Sequence, residues 1–301
     1  MGFANIFIAS PCSISVKNRQ LIVRGEEERK FAIEDINSVM IESHESTVTT
    51  YALQALANAD VAVFVCDRTH MPCGVMIPYK GHFRQPAALK SQLDAPKPLQ
   101  KRMWQSIVVR KIENQARCLE ECVGDSAGLN ELAGRVMSGD SGNTEAVAAA
   151  LHFKTLFGGG FSRKNDALEV NAMLNYAYAI VRGLIARTLA AYGFDPSIGI
   201  HHDNRMNAFN LADDLIEPFR PIADRVVYDL VANGFEVLVP ESKRAIFSLT
   251  AADVEMEGQL HALSYAVDLV VQSFARSLKE RTNLLMLPRL ADDPARLHRY
   301  E

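Results

Sequence analysis

The first third of the chain alternates short apolar runs with polar turns, a pattern typical of β-strands. Such runs occur in NIFIAS, SISVKNRQLIV, KFAI and SVMIES. The second run predicts a hairpin with Asn18 and Arg19 near its tip. A helical pattern follows in TVTTYALQALANAD and ends near Asn58. The continuous apolar run VAVFVCD then predicts a buried strand that stops at Asp67.

The segment PYKGHFRQPAALKSQLDAPKP interrupts this pattern with prolines at positions 78, 86, 96 and 98. Because proline and glycine clusters mark loops and boundaries, we predict a linker over residues 79–98. It separates a small β-rich domain over 1–78 from a larger domain over 99–301. The expected fold class is α+β, with an all-helical C-terminal domain.

The apolar positions after the linker recur at helical spacing almost throughout. One long helix is predicted after Pro98, and a second over TEAVAAALHFKTLF, with Thr144 as its N-cap and the glycines at 158–160 as its end. A third is expected to stop at Gly193 and a fourth at Asn233 and Gly234. Two further helical stretches are predicted around 251–258 and 259–281.

The composition is ordinary for a soluble globular protein, with 48% hydrophobic residues, 23% charged residues and a net charge of −4 over 301 residues. A nucleic-acid partner would therefore have to bind a local basic face. The sequence has no apolar run long enough for a membrane span and no secretory signal, so we expect a cytoplasmic protein.

The five cysteines, an odd number, are typical of reduced intracellular thiols. Four of them form two pairs in the sequence, Cys66 with Cys73 and Cys118 with Cys122, and a zinc site is one interpretation of these four residues. The other is small buried thiols, which the absence of CxxC spacing favours. The five residues are Cys12, Cys66, Cys73, Cys118 and Cys122.

The segment GIHHDNRMNAFNLADDLIEPFRP, residues 199–221, concentrates side chains that can bind a metal ion. Asp214 and Glu217 lie three positions apart and Asp213 and Glu217 four apart, so either pair can share a helix face. Pro218 biases Glu217 away from regular helical geometry, which places its carboxylate at a junction. His201 and His202 precede this helix in a predicted loop.

Glu145, at the start of the second predicted C-terminal helix, is a candidate third ligand. One histidine with two carboxylates suits Mg²⁺ or Mn²⁺. Each residue also has a structural interpretation: Glu145 favours the helix dipole, the histidines are loop residues, and Arg220 is an ion-pair partner for one of the acids. The spacing alone leaves both interpretations open.

Three segments in fixed order, NTEAVAAALHFKTLFG, GIHHDN and FNLADDLIEPFRP, resemble the CRISPR-associated integrases that insert new spacers, the Cas1 family. The segments DLIEPFRP and NAMLNYAYAIVRGLI are similar to those of the family members that accompany type II systems. The resemblance implies that Glu145, His202 and Glu217 bind Mg²⁺ or Mn²⁺. It leaves His201 as a rival to His202 and gives Asp214 an auxiliary role.

The same resemblance implies the reaction and the partners. The 3′-hydroxyl of incoming DNA would attack a phosphodiester at the repeat, and Glu145, His202 and Glu217 would be catalytic. The partners would be double-stranded DNA (prespacer and repeat), a second copy bound through the β-rich domain, and a small adaptation subunit in a hetero-hexameric complex. Candidate phosphate contacts are Lys80, Arg84, Arg163, Lys164, Lys243 and Arg244.

Two alternative functions remain. One is a metal-dependent phosphohydrolase. His202 and Asp203 form an HD pair, and His152 and Asp268 would be its further metal ligands. The non-enzymatic alternative is a helical scaffold that binds DNA or a partner through its basic linker.

Overall fold

A computed structural model describes residues 4–76, 85–165 and 168–292. These residues fall into two compact units, 4–76 and 85–292. None of the helices in these ranges is long and apolar enough to cross a membrane. The candidate DNA contacts Lys80 and Arg84 lie outside the described residues.

The first unit is built from two four-stranded sheets and one helix. Its elements are β1 (Ala4–Ile8), β2 (Ser13–Lys17), β3 (Gln20–Arg24), β4 (Glu28–Ala32), β5 (Ile36–Ile41), β6 (Thr47–Val48), α1 (Thr50–Asn58), β7 (Ala62–Cys66) and β8 (Pro72–Val75). One sheet has the order β1-β5-β7-β8 and the other β4-β3-β2-β6. Every strand and the helix that the sequence predicts here are confirmed.

The β2–β3 hairpin turns at Asn18 and Arg19, as predicted. Both residues have left-handed backbone conformations, with φ angles of 52° and 59°. Two consecutive left-handed residues match the right-handed twist of the flanking strands. The sheets and α1 bury a shared apolar core that includes Ile14, Val39 and Leu56, and burial of such side chains is the main force that stabilises a unit of this size.

The second unit is mostly helical. Its helices are α2 (Gln85–Leu93), α3 (Lys97–Val123), α4 (Leu129–Ala133), α5 (Thr144–Phe157), α6 (Glu169–Ala191), α7 (Asn210–Leu215), α8 (Arg220–Ala232), α9 (Pro240–Phe247) and α10 (Leu263–Glu280). The main predicted helices are confirmed, including the ends at Gly158 and Gly193 and at the Asn233–Gly234 pair.

The prediction that the C-terminal domain is all-helical is wrong. Strands β9 (Asp253–Met256), β10 (Gln259–Ala262) and β11 (Arg289–Leu290) form a sheet of order β10-β9-β11. The helix predicted at 251–258 is absent, because Glu257 and Gly258 have left-handed φ angles of 50° and 82°, whereas the helix predicted at 259–281 is confirmed from Leu263 onward as α10. These two residues turn the chain into a hairpin, and α10 begins only at Leu263.

The predicted linker over 79–98 contains helix α2. Pro86 stands in the first turn of α2, where its missing amide hydrogen breaks no helical bond. The buried Gln92 side chain donates hydrogen bonds to the backbone oxygens of Asp195 and Ile198, both at 2.8 Å. Residues 85–98 are therefore part of the second unit, and α2 supports the loop that precedes the two histidines.

Helix α3 runs through the centre of the second unit. Its buried side chains recur every three or four residues, including Trp104, Val108, Lys111 and Cys118. Such spacing places them on one face. A lysine on a buried face is unusual because burying an unpaired charge is costly.

Candidate functional site

Glu145 lies in the first turn of α5, at a capped helix terminus. Asp140, just before α5, accepts hydrogen bonds from the backbone amides of Thr144, at 2.9 Å, and Glu145, at 3.0 Å. The prediction that Thr144 is the N-cap is wrong, because the boundary residue is Asn143 and the capping oxygens come from Asp140. These bonds satisfy free backbone donors of α5 and fix the direction in which Glu145 leaves the helix.

Glu217 follows α7 in a single turn of 3₁₀-helix, Glu217–Phe219. This is the junction that Pro218 predicts. The side-chain amide of Asn114 donates a 2.7 Å hydrogen bond to the backbone oxygen of Pro218, which ties the junction to α3. Arg220 Nε donates a 2.8 Å hydrogen bond to Glu217 Oε1, so the expected ion pair between Arg220 and a neighbouring acid is confirmed.

Lys111 of α3 connects the two glutamates. Its ammonium group hydrogen-bonds to Glu145 Oε1 and to Glu217 Oε2. The Lys111 and Glu217 side chains are only 6% and 7% exposed, and that of Glu145 is 27% exposed. Two carboxylates that are remote in sequence thus share one cation.

The charges around Glu217 determine its ionisation. Burial on its own raises the pKa of this carboxyl, but the positive charges of Arg220 and Lys111 outweigh that effect and lower the pKa from 4.5 to about 2. Burial on its own lowers the pKa of the Lys111 ammonium group. The negative charges of Glu217 and Glu145 outweigh this effect, so the pKa of Lys111 is raised above its ordinary value. The lysine and Glu217 are both charged at neutral pH.

The histidine loop is folded around the carboxylate of Asp214. This buried group accepts hydrogen bonds from the backbone amides of Ile200, His201 and His202, at 2.6, 3.1 and 3.1 Å. A Cβ atom at Gly199 would lie 2.8 Å from Asp214 Oδ2 and 2.3 Å from the His202 backbone oxygen. Only glycine fits this close approach.

The two histidines differ in their surroundings. His202 Nδ1 lies 2.8 Å from Asp214 Oδ1. This hydrogen bond raises the pKa of His202, against the opposing effect of burial. His201 instead stacks on the Trp104 ring, with centroids 4.0 Å apart and planes 3° apart, and burial lowers its pKa.

The His202 hydrogen bond also selects a tautomer. With the proton on Nδ1 directed at a carboxylate, Nε2 presents its lone pair, which is the arrangement found in metal-binding histidines. Asp214 already accepts four hydrogen bonds, so its geometry suits orienting His202 rather than binding an ion directly.

The predicted ligands converge only in part. Glu145 and Glu217 meet at Lys111, and across the described ranges no three His, Cys, Asp or Glu side chains are grouped closely enough to hold a metal ion. The donor set nevertheless fits a hard cation, since two carboxylates already enclose a positive charge and a histidine of fixed tautomer lies on the adjoining loop.

The candidate DNA contacts have different environments. Lys164 and Arg244 are exposed, and Arg163 is half-buried. Lys243 is buried, at 6% exposure, and interacts with other groups of the protein. This burial makes Lys243 the least accessible of these candidates for a phosphate contact.

The structure does not assemble the alternative metal sites. His152 Nε2 lies 3.0 Å from Asp224 Oδ2, and Asp268 accepts hydrogen bonds from Tyr192 and Gln272. Among the described residues, neither side chain joins the HD pair in a group that could hold a metal ion. All five cysteines are free thiols, as the sequence predicts.

Three residues of this site were missed by sequence reasoning: Trp104, Lys111 and Asp140. Trp104 and Lys111 are seven positions apart on α3 and so share its buried face. The signal was available, because a lysine within an apolar helical stripe requires a buried partner. No sequence pattern indicated the capping role of Asp140, since this residue lies in a Gly/Ser-rich segment five residues before Glu145.

Sequence comparison defines the class of protein. The chain matches the family described as CRISPR associated protein Cas1 over residues 6–138 and 145–236. It is 39% identical over 307 aligned residues, covering 100% of both chains, to the CRISPR-associated endonuclease Cas1 of Neisseria meningitidis serogroup C (strain 8013). The chain is therefore a CRISPR-associated endonuclease. It belongs to the Cas1 family, which confirms the resemblance found in the sequence.

Comparison with solved structures agrees with this fold. A casposase bound to integration product superposes with a TM-score of 0.77 at 20% identity, covering 100% of this chain and 96% of the casposase chain. A chain of a Cas6-RT-Cas1–Cas2 complex superposes with a TM-score of 0.67 at 17% identity, covering 96% of this chain and 36% of the other. At these identities the likeness concerns the fold.

Proposed function

We propose that this protein inserts spacer DNA into a CRISPR array by metal-dependent phosphodiester transesterification. The observation that carries the proposal is the meeting of Glu145 and Glu217, from separate helices, at one cation position beside the histidine loop. Membership in the Cas1 family supports the proposed class of reaction, and the contacts of the site support the proposed roles of these residues.

Glu145, Glu217 and His202 Nε2 would hold the metal ion, Mg²⁺ or Mn²⁺. When bound, such an ion polarises a phosphoryl oxygen and stabilises the charge that develops during transfer. Lys111 has to leave its position between the carboxylates for an ion to bind there. Its long flexible side chain allows this movement.

The protein residues around the ion position organise the reaction. Asp214 fixes the ring and tautomer of His202, and Asp140 fixes the start of α5 and therefore Glu145. The attacking 3′-hydroxyl forms a new bond to phosphorus as the bond between that phosphorus and the 3′-oxygen of the target strand breaks. Water takes the proton of the attacking hydroxyl, and the leaving 3′-oxygen takes a proton from water. The number of phosphodiester bonds is unchanged, so no external energy source is required.

The partners in this proposal are prespacer and repeat DNA, a second copy of the chain and a small adaptation subunit in a hetero-hexameric complex. Support comes from fold relatives that are described as a casposase bound to integration product and as a Cas1–Cas2 complex. Within the described residues, exposed Lys164 and Arg244 are the remaining surface candidates for phosphate contacts.

The test is strand transfer of a short duplex into a supercoiled plasmid, with Mn²⁺ or with a chelator. The wild type is expected to join the DNA only with Mn²⁺, and Glu145→Gln and His202→Ala are expected to lose joining while folding normally. Lys154→Met, an exposed charge change on α5, is the matched control and keeps activity.

Two results would contradict the proposal. Hydrolysis of nucleotides without DNA joining would favour the phosphohydrolase alternative. Unchanged activity in Glu145→Gln, Glu217→Gln and His202→Ala would favour a scaffold.

A further inference from the structure

The ring of Trp104 packs against both histidines of the loop. Trp104 lies on α3, is the only tryptophan of the chain and is 4% exposed. The His201 ring lies parallel to the indole, with centroids 4.0 Å apart and planes 3° apart. The His202 ring meets the same indole edge-on, with centroids 5.7 Å apart and an angle of 85° between the planes. One side chain of α3 therefore contacts both histidine rings.

This contact depends on the ring of Trp104 and not on its polar atom. The buried Nε1 has no hydrogen-bond partner among the residues that the structure describes. A buried indole usually finds a partner for its N–H group, and leaving that group unpaired is costly. What Trp104 offers the histidine loop is therefore the flat surface of its ring.

The hydrogen bond to Asp214 holds only one corner of the His202 ring. His202 Nδ1 lies 2.8 Å from Asp214 Oδ1, and a single hydrogen bond tolerates a broad range of ring orientations. Edge-on contacts restrict that range, because the His202 centroid lies 5.7 Å from that of Trp104 and 5.6 Å from that of His201. The two neighbouring rings thus help to set the direction of Nε2.

His201 completes this packing and lacks the features of a metal ligand. Its backbone amide is bound to Asp214 and its ring is stacked on Trp104. Within the described part of the chain, no group hydrogen-bonds to its ring nitrogens, so nothing selects a tautomer as Asp214 does for His202. Moving the His201 ring towards an ion would also uncover the indole. The two histidines therefore have different roles.

We propose that Trp104 is a positioning residue for metal binding: His201, stacked on it, holds the His202 ring in the orientation that binds the ion, and His201 is not itself a ligand. The inference rests on the proposed function for the role of His202. Helix α3 would then organise both halves of the site, with Lys111 between the carboxylates and Trp104 beneath the histidines.

The test compares His201→Phe, which keeps a flat ring without nitrogen, with His201→Ala, which removes the ring. His201 is exposed, so neither change threatens the fold. Trp104→Leu removes the stacking surface. Leu119→Ala is the matched control for lost packing, because Leu119 is buried about four turns further along α3.

Two measurements need no DNA. Electron paramagnetic resonance of free Mn²⁺ gives the metal affinity, and acrylamide quenching of fluorescence gives the accessibility of the single tryptophan in the metal-free protein. Strand transfer with Mn²⁺ adds KM for DNA.

We expect His201→Ala and Trp104→Leu to bind Mn²⁺ about tenfold more weakly than the wild type, as is usual when a residue that orients a ligand is lost. His201→Phe and Leu119→Ala should keep the wild-type affinity. Acrylamide should quench Trp104 more strongly in His201→Ala than in the wild type or His201→Phe. His201→Ala should leave KM for DNA unchanged.

An equal loss of Mn²⁺ affinity in His201→Phe and His201→Ala would make His201 a ligand and overturn the inference. Unchanged affinity in His201→Ala would also overturn it, and a raised KM for DNA in that variant would then assign His201 to a DNA contact. If Trp104→Leu fails to fold, the two His201 variants decide the question.

The metal measurements separate this inference from the proposed function. A wild type that shows the expected Mn²⁺ affinities but joins no DNA refutes the proposed function alone. Equal Mn²⁺ affinities in all variants, with joining intact, refute only the positioning role of Trp104.

Discussion

The Lys111 ammonium group hydrogen-bonds to the carboxylate of Glu217 in an interior where both side chains are less than a tenth exposed. The same ammonium reaches Glu145 at the start of α5. A buried ion pair of this kind compensates charges that are costly to desolvate. Lys111 therefore keeps the two carboxylates together when no metal ion does so.

Replacing Lys111 with methionine should destabilise the metal-free protein. Two carboxylates would lose their shared cation, a loss of about 3–5 kcal/mol in the free energy of unfolding. Because the competing ammonium is gone, Mn²⁺ should raise the melting temperature of Lys111→Met more than that of the wild type. Thermal melts with and without Mn²⁺ measure both effects, with Lys154→Met as the control. Equal metal-induced shifts in all three proteins would be inconsistent with competition at this position.

Glu217 should make the protein sensitive to acid. Its pKa is lowered to about 2 in the folded state, so its contribution to stability is complete above about pH 4.5 and is lost as the pH falls towards 2. Urea unfolding from pH 5 to pH 3 should show a smaller decline for Glu217→Gln than for the wild type. The difference should be at most about 2 kcal/mol. Parallel pH curves would contradict the assignment of this charge network.

His202 should titrate above its ordinary range because it is hydrogen-bonded to Asp214. A raised pKa favours the protonated ring, so this pair stabilises the fold fully below about pH 6.5 and loses its contribution as the pH rises through the raised value. NMR titration of the His202 ring should give a lower pKa in Asp214→Asn than in the wild type. Asp125→Asn, which removes an exposed carboxylate that does not act on His202, is the control. An unchanged His202 pKa in Asp214→Asn would contradict the hydrogen bond.

Asp140 should support activity without touching substrate. Asp140→Ala removes the acceptor for two backbone amides of α5 and should lower the free energy of unfolding by about 1 kcal/mol. The rate of strand transfer should also fall, because the first turn of α5 no longer holds Glu145 in a fixed position. Asp125→Ala removes a comparable loop hydrogen bond, to the Ala127 amide, and should leave strand transfer intact. Equal activities in the two variants would argue against a positioning role for Asp140.

Sequence patterns predicted most of the fold because local rules dominate it. Alternating apolar residues gave the strands of the first unit, and glycines after apolar stripes gave the ends of α5 and α6. The errors fall where a local pattern is ambiguous. VEMEGQLHA contains apolar residues compatible with a helix, but its Glu257–Gly258 turn forms a hairpin.

The site was predictable only in part. Glu217 at a proline junction and the two histidines were evident from residue types and spacing. Their partners come from tertiary contacts: Lys111 meets residues 34 and 106 positions away, and Gly199 is required by a contact with Asp214. Such convergence depends on how α3, α5 and α7 pack against one another, which no local pattern specifies.

The most direct test of the account is an anomalous-diffraction map of crystals soaked in Mn²⁺. We expect one manganese peak in contact with Glu145, Glu217 and His202 Nε2, with Lys111 moved away from the carboxylates. Manganese bound elsewhere, or bound without His202 while Lys111 keeps its place, would contradict it.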